Sequence, residues 1–136
     1  MTTQRKILIA DDEPNIVTSL EYLMVRSGYD VRTARDGEEA LAMVASFLPD
    51  LVLLDVMMPH RNGYEVCQKM RECPEWNGIR IIMLSAKGRE AEISKGLSLG
   101  ADAYVTKPFS NQQLIARIAA LLAGAAGSGA EEPGAP

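Results

Sequence analysis

Acidic, hydroxyl and amine side chains follow several short apolar runs of the sequence, and their types suit phosphoryl transfer. These side chains are Asp11, Asp12, Asp55, Ser85 and Lys107. Carboxylates gathered at one site repel one another, by about 4 kcal/mol for two unit charges ~4 Å apart at an effective dielectric constant near 20. A divalent cation relieves this repulsion, and Mg²⁺ suits one or two carboxylates together with water and a phosphoryl oxygen. The residue types therefore predict a Mg²⁺ site.

The same set of side chains suggests a reaction. A carboxylate beside a divalent cation can attack phosphorus, and Asp55 is the candidate nucleophile. The ammonium group of Lys107 and the hydroxyl group of Ser85 are suited to hold the oxygens of the incoming phosphoryl group. The combination predicts a site that forms an acyl phosphate.

Five short apolar runs alternate with five longer amphipathic stretches, and the polar side chains stand at the ends of these runs. The runs are Ile7–Ala10, Asp30–Thr33, Leu51–Leu54, Arg80–Leu84 and Ala103–Val105. Three of them are continuously apolar, which is typical of parallel strands buried on both faces. With roughly 20 to 25 residues per unit, the alternation predicts an α/β fold with right-handed crossovers and helices on both faces of a parallel sheet. Ligands of such sheets bind beyond the carboxyl ends of the strands.

Helix signals mark four of the five amphipathic stretches. The first stretch stops at Gly28, a residue type that commonly ends helices. The other three begin with a capping residue that Glu or Gln follows three positions later. These pairs are Asp36 with Glu39, Asn62 with Glu65, and Ser110 with Gln113.

The remaining stretch, residues 89–98, is the weakest predicted helix. It offers only Ile93 and Leu97 as large apolar anchors, and it contains Gly96, which disfavours helix. With so little surface to bury, this helix is expected to be the element that moves.

Length and composition limit the function classes. A chain of 136 residues, 47% hydrophobic and 24% charged, is long enough for one soluble domain. Its formal net charge of −4 argues against a broad basic surface for nucleic acid or anionic lipid. The polar start and the short first apolar run, Ile7–Ala10, favour neither a signal peptide nor a membrane span, so we expect a cytoplasmic protein.

The two cysteines suggest no disulfide or thiolate metal site. Cys67 and Cys73 are six residues apart on what reads as one short helix, which would place them on different faces. From Gly124 onward the sequence is rich in Gly and Ala and holds no large apolar side chain, which predicts a flexible tail or linker over residues 124–136.

Five segments, in this order and spacing, resemble the receiver domain of two-component response regulators over residues 5–123. The segments are Ile7–Glu13, Pro49–Pro59, Asn62–Glu65, Leu84–Ala86 and Gly100–Phe109. The resemblance implies a flavodoxin-like (βα)5 fold with a doubly wound, five-stranded parallel sheet in the order 2-1-3-4-5. It also implies a receiver domain over residues 1–123.

The resemblance implies a role for each acidic residue. Asp55 corresponds to the phospho-acceptor and Asp12 to a direct Mg²⁺ ligand. Asp11 corresponds to a ligand that acts largely through water, and the backbone carbonyl of Met57 to a further ligand.

Three further residues match the part of the family that responds to phosphorylation. Ser85 and Tyr104 correspond to a switch pair, in which the hydroxyl group turns toward the phosphoryl group and the aromatic ring turns inward. Lys107 corresponds to the phosphate-binding lysine, and the family has a cis bond between this lysine and Pro108.

The implied function is a phosphorylation switch. A histidine kinase or histidine phosphotransfer protein would supply the phosphoryl group, and the face of helix 4, strand 5 and helix 5 would bind an effector, an output domain or a second copy. That face keeps Lys95, Asp102 and Arg117 but has Ala103 where a second aspartate is frequent. Such a protein catalyses only its own phosphorylation and slow dephosphorylation.

Alternatives from other classes fit less well. Hydrolases of the haloacid dehalogenase type use an aspartate nucleophile with a second acid two residues later, where this sequence has Met57. A flavodoxin needs a phosphate loop after strand 1, where Asp11–Glu13 would repel phosphate. One further interpretation stays open: the chain is a receiver from a longer transcription factor whose DNA-binding domain follows Gly124.

Overall fold

The computed structural model, which describes residues 4–126, contains five strands and five α-helices in strict alternation. The strands are β1 (Lys6–Ala10), β2 (Asp30–Ala34), β3 (Leu51–Asp55), β4 (Arg80–Ser85) and β5 (Ala103–Thr106). The α-helices are α1 (Pro14–Arg26), α2 (Gly37–Phe47), α3 (Gly63–Arg71), α4 (Glu90–Ser98) and α5 (Asn111–Ala126). A short 3₁₀ helix, Pro74–Trp76, precedes β4.

The strands form one parallel sheet in the order β2-β1-β3-β4-β5, which confirms the expected order. Ile9 of β1 pairs with Thr33 of β2 on one side and with Leu53 of β3 on the other. The chain therefore leaves β1 in one direction and continues from β3 in the other. The crevice between the carboxyl ends of β1 and β3 is the point where ligands bind in such sheets.

Both faces of the sheet are covered, because successive side chains of each strand point to opposite faces. In β3, Leu51 and Leu53 pack with buried residues of α1 and α5, namely Leu20, Met24, Leu114, Ile118 and Leu122. Val52 and Leu54 pack on the other face with residues of α2 and α3, namely Ala40, Val44, Val66, Cys67 and Met70. This double burial explains the continuously apolar strands.

The predicted helix ends are confirmed. The side chain of Asp36 accepts a hydrogen bond from the Glu39 N–H group at 2.8 Å, and Ser110 accepts one from the Gln113 N–H group at 3.3 Å. At α3 the capping box is complete. Gly28 has φ +96°, a conformation that glycine adopts without steric cost.

The fifth helix runs further than the composition suggested. Helix α5 continues to Ala126, so the expected boundary at Gly124 lies inside a helix. The rest of the expected tail, residues 127–136, lies outside the described residues. None of the helices in the part of the chain that the structure describes is long and apolar enough to cross a membrane.

Helix α4 makes little contact with the core, but one predicted anchor is wrong. Gly96 is its only buried residue, and Ile93 is half-buried. Leu97 is 45% exposed because it points away from the sheet. At Gly96 a Cβ atom would lie 2.7 Å from the Met83 sulfur and 3.0 Å from the Tyr104 ring, so α4 lies directly on these side chains.

The cysteines do not share a helix, which corrects the sequence interpretation. Cys67 is buried in α3, whereas Cys73 lies beyond the end of α3 and precedes the 3₁₀ helix. Pro74 follows Cys73, and because proline has no N–H group to donate, α3 does not continue through it. Both thiols are free.

Candidate functional site

The carboxyl ends of four strands bring the predicted site residues together. Asp11 follows β1, Asp55 ends β3, Ser85 ends β4, and Lys107 follows β5. Asp11, Asp55 and Ser85 are almost fully buried, and Asp12 is exposed. Buried polar groups at adjoining strand ends are unusual outside functional sites, because they lose their hydration.

Three carboxylates form what we call the carboxylate cluster: Asp11, Asp12 and Asp55. Each offers one oxygen atom, and these three atoms lie within 4.8 Å of one another. Asp11 is held in place by the Glu13 N–H group, which donates to its Oδ1 atom at 3.0 Å. An all-oxygen set with one exposed member fits Mg²⁺, which keeps several waters and takes few protein ligands.

Lys107 provides the positive charge that faces this cluster. Its Nζ atom lies 3.1 Å from Oδ2 of Asp11 and 3.5 Å from Oδ1 of Asp55. Burial opposes the charge on the lysine, but the hydrogen bond to Asp11 and the charge of Asp55 outweigh it and raise the pKa of the ammonium group. Lys107 is therefore charged and lies between the two buried carboxylates.

One lysine does not balance the cluster, as the pKa of Asp55 shows. Burial, followed by the charge of Asp11, raises the pKa of Asp55 from 3.8 to about 6. Lys107 and a hydrogen bond from the Met57 backbone act in the opposite direction without cancelling this rise. A divalent cation would supply the missing positive charge, so the residues present fit Mg²⁺.

Ser85 is fully buried, and its hydroxyl hydrogen remains available to donate. Its Oγ atom accepts from the Lys87 N–H group at 3.0 Å, which leaves the hydroxyl hydrogen for another acceptor. The Lys107 N–H group donates to the Ser85 carbonyl at 2.8 Å. This bond connects the ends of β4 and β5.

Tyr104 contacts the same loop residue as Ser85. Its hydroxyl group donates to the Lys87 carbonyl at 2.6 Å, and its ring packs against Gly96 of α4. The side chain is half-buried and lies against the core. Ser85 and Tyr104 are thus connected through the backbone of Lys87, whose role no side-chain pattern could reveal.

Comparison with known proteins gives the family. A model of the response regulator receiver domain matches residues 7–119. The chain belongs to the response regulator receiver family. Receivers act in two-component signal transduction, and the fold and the motif order found here are those expected of a receiver.

Relatives and solved structures agree with this assignment. The transcriptional regulatory protein PhoP of alkaline phosphatase synthesis in Bacillus subtilis is 51% identical over 118 residues, which cover 87% of this chain and 48% of PhoP. The chain thus spans about half the length of that relative. The receiver domain of Francisella response regulator 1452 is 33% identical with a TM-score of 0.83, and the match covers 88% of this chain and 98% of that one.

A third match is a complex that contains BeF3 and Mg²⁺. It is the CheX–CheY–BeF3–Mg²⁺ complex from Borrelia burgdorferi, 29% identical with a TM-score of 0.80. The match covers 86% of this chain and 88% of that one.

Sequence reasoning did not identify the glycine that shapes the β3–α3 loop of this receiver. A Cβ atom on Gly63 would collide with the Asp55 carbonyl and lie 2.8 Å from the Val56 Cα atom. The Gly63 N–H group donates to the Val56 carbonyl at 2.8 Å. Because this close packing fixes the loop, Met57 is held beside Asp55 with its side chain 57% exposed.

The same loop is bound to α2 through residues that carried no sequence signal. Arg61 Nε lies 2.8 Å from Oε2 of Glu38, and the first residue of α2, Gly37, leaves no room for a Cβ atom against Arg61. The side chain of His60 is 65% exposed, and its Nε2 atom lies 3.9 Å from Oδ2 of Asp36.

Asp102, one of the three charges expected on the face of α4, β5 and α5, is paired within the chain. Its carboxylate lies 3.1 Å from Arg71 and 3.4 Å from Arg80, and it accepts the Ile81 N–H group at 2.8 Å. These contacts satisfy both carboxylate oxygens within the chain. Asp102 therefore stabilises the start of β5, whereas Lys95 and Arg117, the other two charges expected on that face, are exposed.

Proposed function

We propose that this receiver accepts a phosphoryl group on Asp55 from the phosphohistidine of a histidine kinase or histidine phosphotransfer protein. The observation that carries this proposal is the position of Asp55: a buried carboxylate with a raised pKa, within 4.8 Å of two other carboxylates and 3.5 Å from Lys107. A buried carboxylate among like charges is costly to keep, and such perturbed groups concentrate at functional sites.

The transfer step follows from these groups. A carboxylate oxygen of Asp55 forms the new bond to phosphorus while the bond between phosphorus and the histidine nitrogen breaks. The electron pair of that bond leaves with the imidazole. The ammonium group of Lys107 and the hydroxyl group of Ser85 hold the phosphoryl oxygens as their charge redistributes.

The proposal includes Mg²⁺ held by the carboxylate cluster and the backbone carbonyl of Met57. When bound, this ion neutralises charge on the carboxylates and on the phosphoryl oxygens. Lys107 contributes a second positive charge, through its contacts with Asp11 and Asp55.

Phosphorylation is proposed to act by shifting the population of conformations of the face formed by α4, β5 and α5. The phosphoryl group of an ordinary phosphoester carries about −1.5 to −2 charge, and that of an aspartyl phosphate carries a comparable charge. Ser85 donates its free hydroxyl hydrogen to this group, and Tyr104 responds through the shared residue Lys87. The face of α4, β5 and α5 then binds an effector, a second copy or, as the similarity to the longer PhoP favours, an output domain.

Three further expectations belong to this proposal. The protein acts in the cytoplasm, it performs no turnover chemistry beyond its own phosphorylation and slow dephosphorylation, and it makes no direct contact with nucleic acid. Met57 and Lys87 flank the site and offer neither a carboxylate nor an amide to orient an attacking water, which favours slow dephosphorylation.

Intact mass after incubation with Mg²⁺ and acetyl phosphate tests the proposal. We expect one phosphoryl adduct on the wild type and on Asp36→Asn, a matched control in which asparagine still caps α2. We expect none on Asp55→Asn. No adduct together with release of free phosphate would instead identify a hydrolase, and no adduct without turnover would identify a binding module that does not depend on phosphorylation.

A further inference from the structure

We propose that Tyr64 is a positioning residue of the switch, which holds the first turn of α4 from the side of α3. The inference rests on the proposed function for its meaning, and the Tyr64 hydroxyl group is a neighbour of the Tyr104 hydroxyl group in the Ser85–Lys87–Tyr104 connection. In this arrangement two tyrosines each hold one carbonyl group: Tyr104 holds that of Lys87 in the β4–α4 loop, and Tyr64 holds that of Glu92 in the first turn of α4.

Helix α4 depends on polar contacts for its position. Gly96 is its only buried residue, and Leu97 is 45% exposed, so hydrophobic burial contributes little. Hydrogen bonds from neighbouring elements therefore account for a larger share of its attachment than in the other helices.

A stripe of hydrogen-bond donors on α3 faces α4. Tyr64, Cys67 and Arg71 are spaced by three and four residues, which places them on one side of the helix. Their acceptors are the carbonyl groups of Glu92, Leu99 and Gly100, at 3.2, 3.6 and 3.0 Å respectively. Cys67 and Arg71 reach the end of α4, whereas Tyr64 reaches its first turn.

Tyr64 also contacts α4 through its ring. The Lys95 ammonium group lies 4.5 Å from the ring centroid, within the range of a cation–π interaction. Burial, followed by the neighbouring Tyr104 hydroxyl group, raises the pKa of Tyr64 to about 12. The hydroxyl group therefore stays protonated and remains a donor at neutral pH.

The position of Tyr64 is set by the phospho-acceptor strand. Gly63, the residue before it, packs against the Asp55 carbonyl with no room for a Cβ atom and donates its N–H group to Val56 at 2.8 Å. Movement of the β3 end therefore moves the first turn of α3. Because the Tyr64 hydroxyl group is bonded to the Glu92 carbonyl group, this movement also displaces the first turn of α4.

The contacts indicate which state Tyr64 favours. In the observed arrangement the Lys87 N–H group occupies a lone pair of Ser85, so the Ser85 hydroxyl hydrogen is free to donate to a phosphoryl oxygen. Tyr104 is bonded to the same loop residue. By holding α4 in this arrangement, Tyr64 favours the state that is ready for the phosphoryl group.

Hydrogen exchange of the ligand-free protein tests the contact itself. Tyr64→Phe removes only the hydroxyl group, and Tyr22→Phe is the matched control because Tyr22 is 64% exposed on α1. We expect amide exchange in α4 to be about fivefold faster in Tyr64→Phe, with α5 unchanged, since one net hydrogen bond is lost. Exchange in α4 equal to that of the wild type and of Tyr22→Phe would overturn the inference.

Binding of beryllofluoride with Mg²⁺, a mimic of the phosphoryl group, tests the role in the switch. We expect about three- to tenfold weaker binding in Tyr64→Phe, because the competent state is less populated. We also expect the effects of Tyr64→Phe and Tyr104→Phe to be non-additive in a double-mutant cycle, since the β4–α4 loop and the first turn of α4, which these residues hold, are continuous.

The outcomes separate the two proposals. Additive effects, or unchanged binding in Tyr64→Phe while the wild type binds beryllofluoride, would overturn the role of Tyr64 alone. A wild type that binds no more beryllofluoride than Asp55→Asn would overturn the proposed function, and the exchange measurement would still decide whether Tyr64 holds α4.

Discussion

At the scale of single residues, the chemistry of the site depends on the charge of Asp55. The same burial that brings Asp55 next to Asp11 and Lys107 raises its pKa to about 6. The neutral acid is a poor nucleophile, so a cation that favours the ionised form would extend to lower pH the range in which Asp55 can react.

The raised pKa predicts how phosphorylation depends on pH. At low Mg²⁺ concentration, we expect the rate of labelling by acetyl phosphate to fall as the pH drops through about 6, because Asp55 becomes protonated. A higher Mg²⁺ concentration should move this midpoint to lower pH, since the cation favours the ionised form. Labelling rates measured at several Mg²⁺ concentrations check this, and a midpoint that does not respond to Mg²⁺ would contradict it.

The same shift predicts a change in stability. The folded state binds a proton on Asp55 more tightly than the unfolded state does, so the stability that this group contributes when protonated is lost as the pH rises through about 6. Without Mg²⁺ at neutral pH, we therefore expect Asp55→Asn to increase the free energy of unfolding by about 1–2 kcal/mol. Denaturant unfolding measures this, and the gain should shrink at about pH 4, below the folded-state pKa. Asp36→Asn serves as the control, with little change expected.

At the scale of the elements, two contacts between a glycine and a neighbouring group bring helices close to the site. Gly63 allows α3 to begin against the end of β3, and Gly96 allows α4 to lie on the Tyr104 ring. Any larger residue would move a helix together with the loop or side chain that it holds.

A glycine substitution tests this close packing. We expect Gly63→Ala to lower the free energy of unfolding by about 2 kcal/mol or more, because its Cβ atom has no room beside rigid backbone. Gly78→Ala is the matched control: no atom lies within 4 Å of its Cβ position, so a change within about 0.5 kcal/mol is expected. Equal effects in the two variants would show that the β3–α3 loop adapts.

The difference in burial between α4 and α5 predicts a difference in motion. Helix α5 buries Leu114, Ile118 and Leu122, whereas α4 buries only Gly96. We therefore expect amide exchange in α4 to be faster than in α5, and to slow when beryllofluoride and Mg²⁺ bind. Equal protection of the two helices, with and without the mimic, would contradict this expectation.

At the scale of the whole molecule, the sheet order places charge at one edge of an apolar core. The strands β1 and β3 are neighbours, so the carboxylates that follow them share one crevice, and β5 brings Lys107 to it from the far side of β4. At the opposite edge, Asp102 is paired with Arg71 and Arg80. Asp102 thus has its positive partners within the chain, whereas the carboxylate cluster is left short of positive charge.

That imbalance predicts that Mg²⁺ stabilises the folded protein. A ligand that binds only the folded state stabilises it by about 2.7 kcal/mol at a concentration of 100 Kd. We expect the melting temperature of the wild type to rise with Mg²⁺, and that of Asp12→Ala to rise only at about tenfold or higher concentrations. Asp12 is exposed, so its replacement leaves the core unchanged. An identical Mg²⁺ response in both proteins would show that Asp12 is not a ligand of the metal.

Much of this protein follows from the sequence by itself, because the signals are local. Burial on both faces makes β1, β3 and β4 continuously apolar, and caps such as Asn62 with Glu65 act within one helical turn. The site residues could be predicted because a parallel sheet carries the residues after its strands to one edge. The strand order came from the resemblance to receivers, since the alternation of runs is compatible with more than one order.

The tertiary structure decided what depends on contacts between distant parts of the chain. The exposure of Leu97, the pairing of Asp102 with two arginines and the hydrogen bond from Tyr64 to Glu92 each depend on which element lies opposite. A residue type does not specify its partner, and a glycine does not indicate which backbone approaches it. The sequence determined which groups gather at the site, and packing determined their distances, their charges and the helices that respond to them.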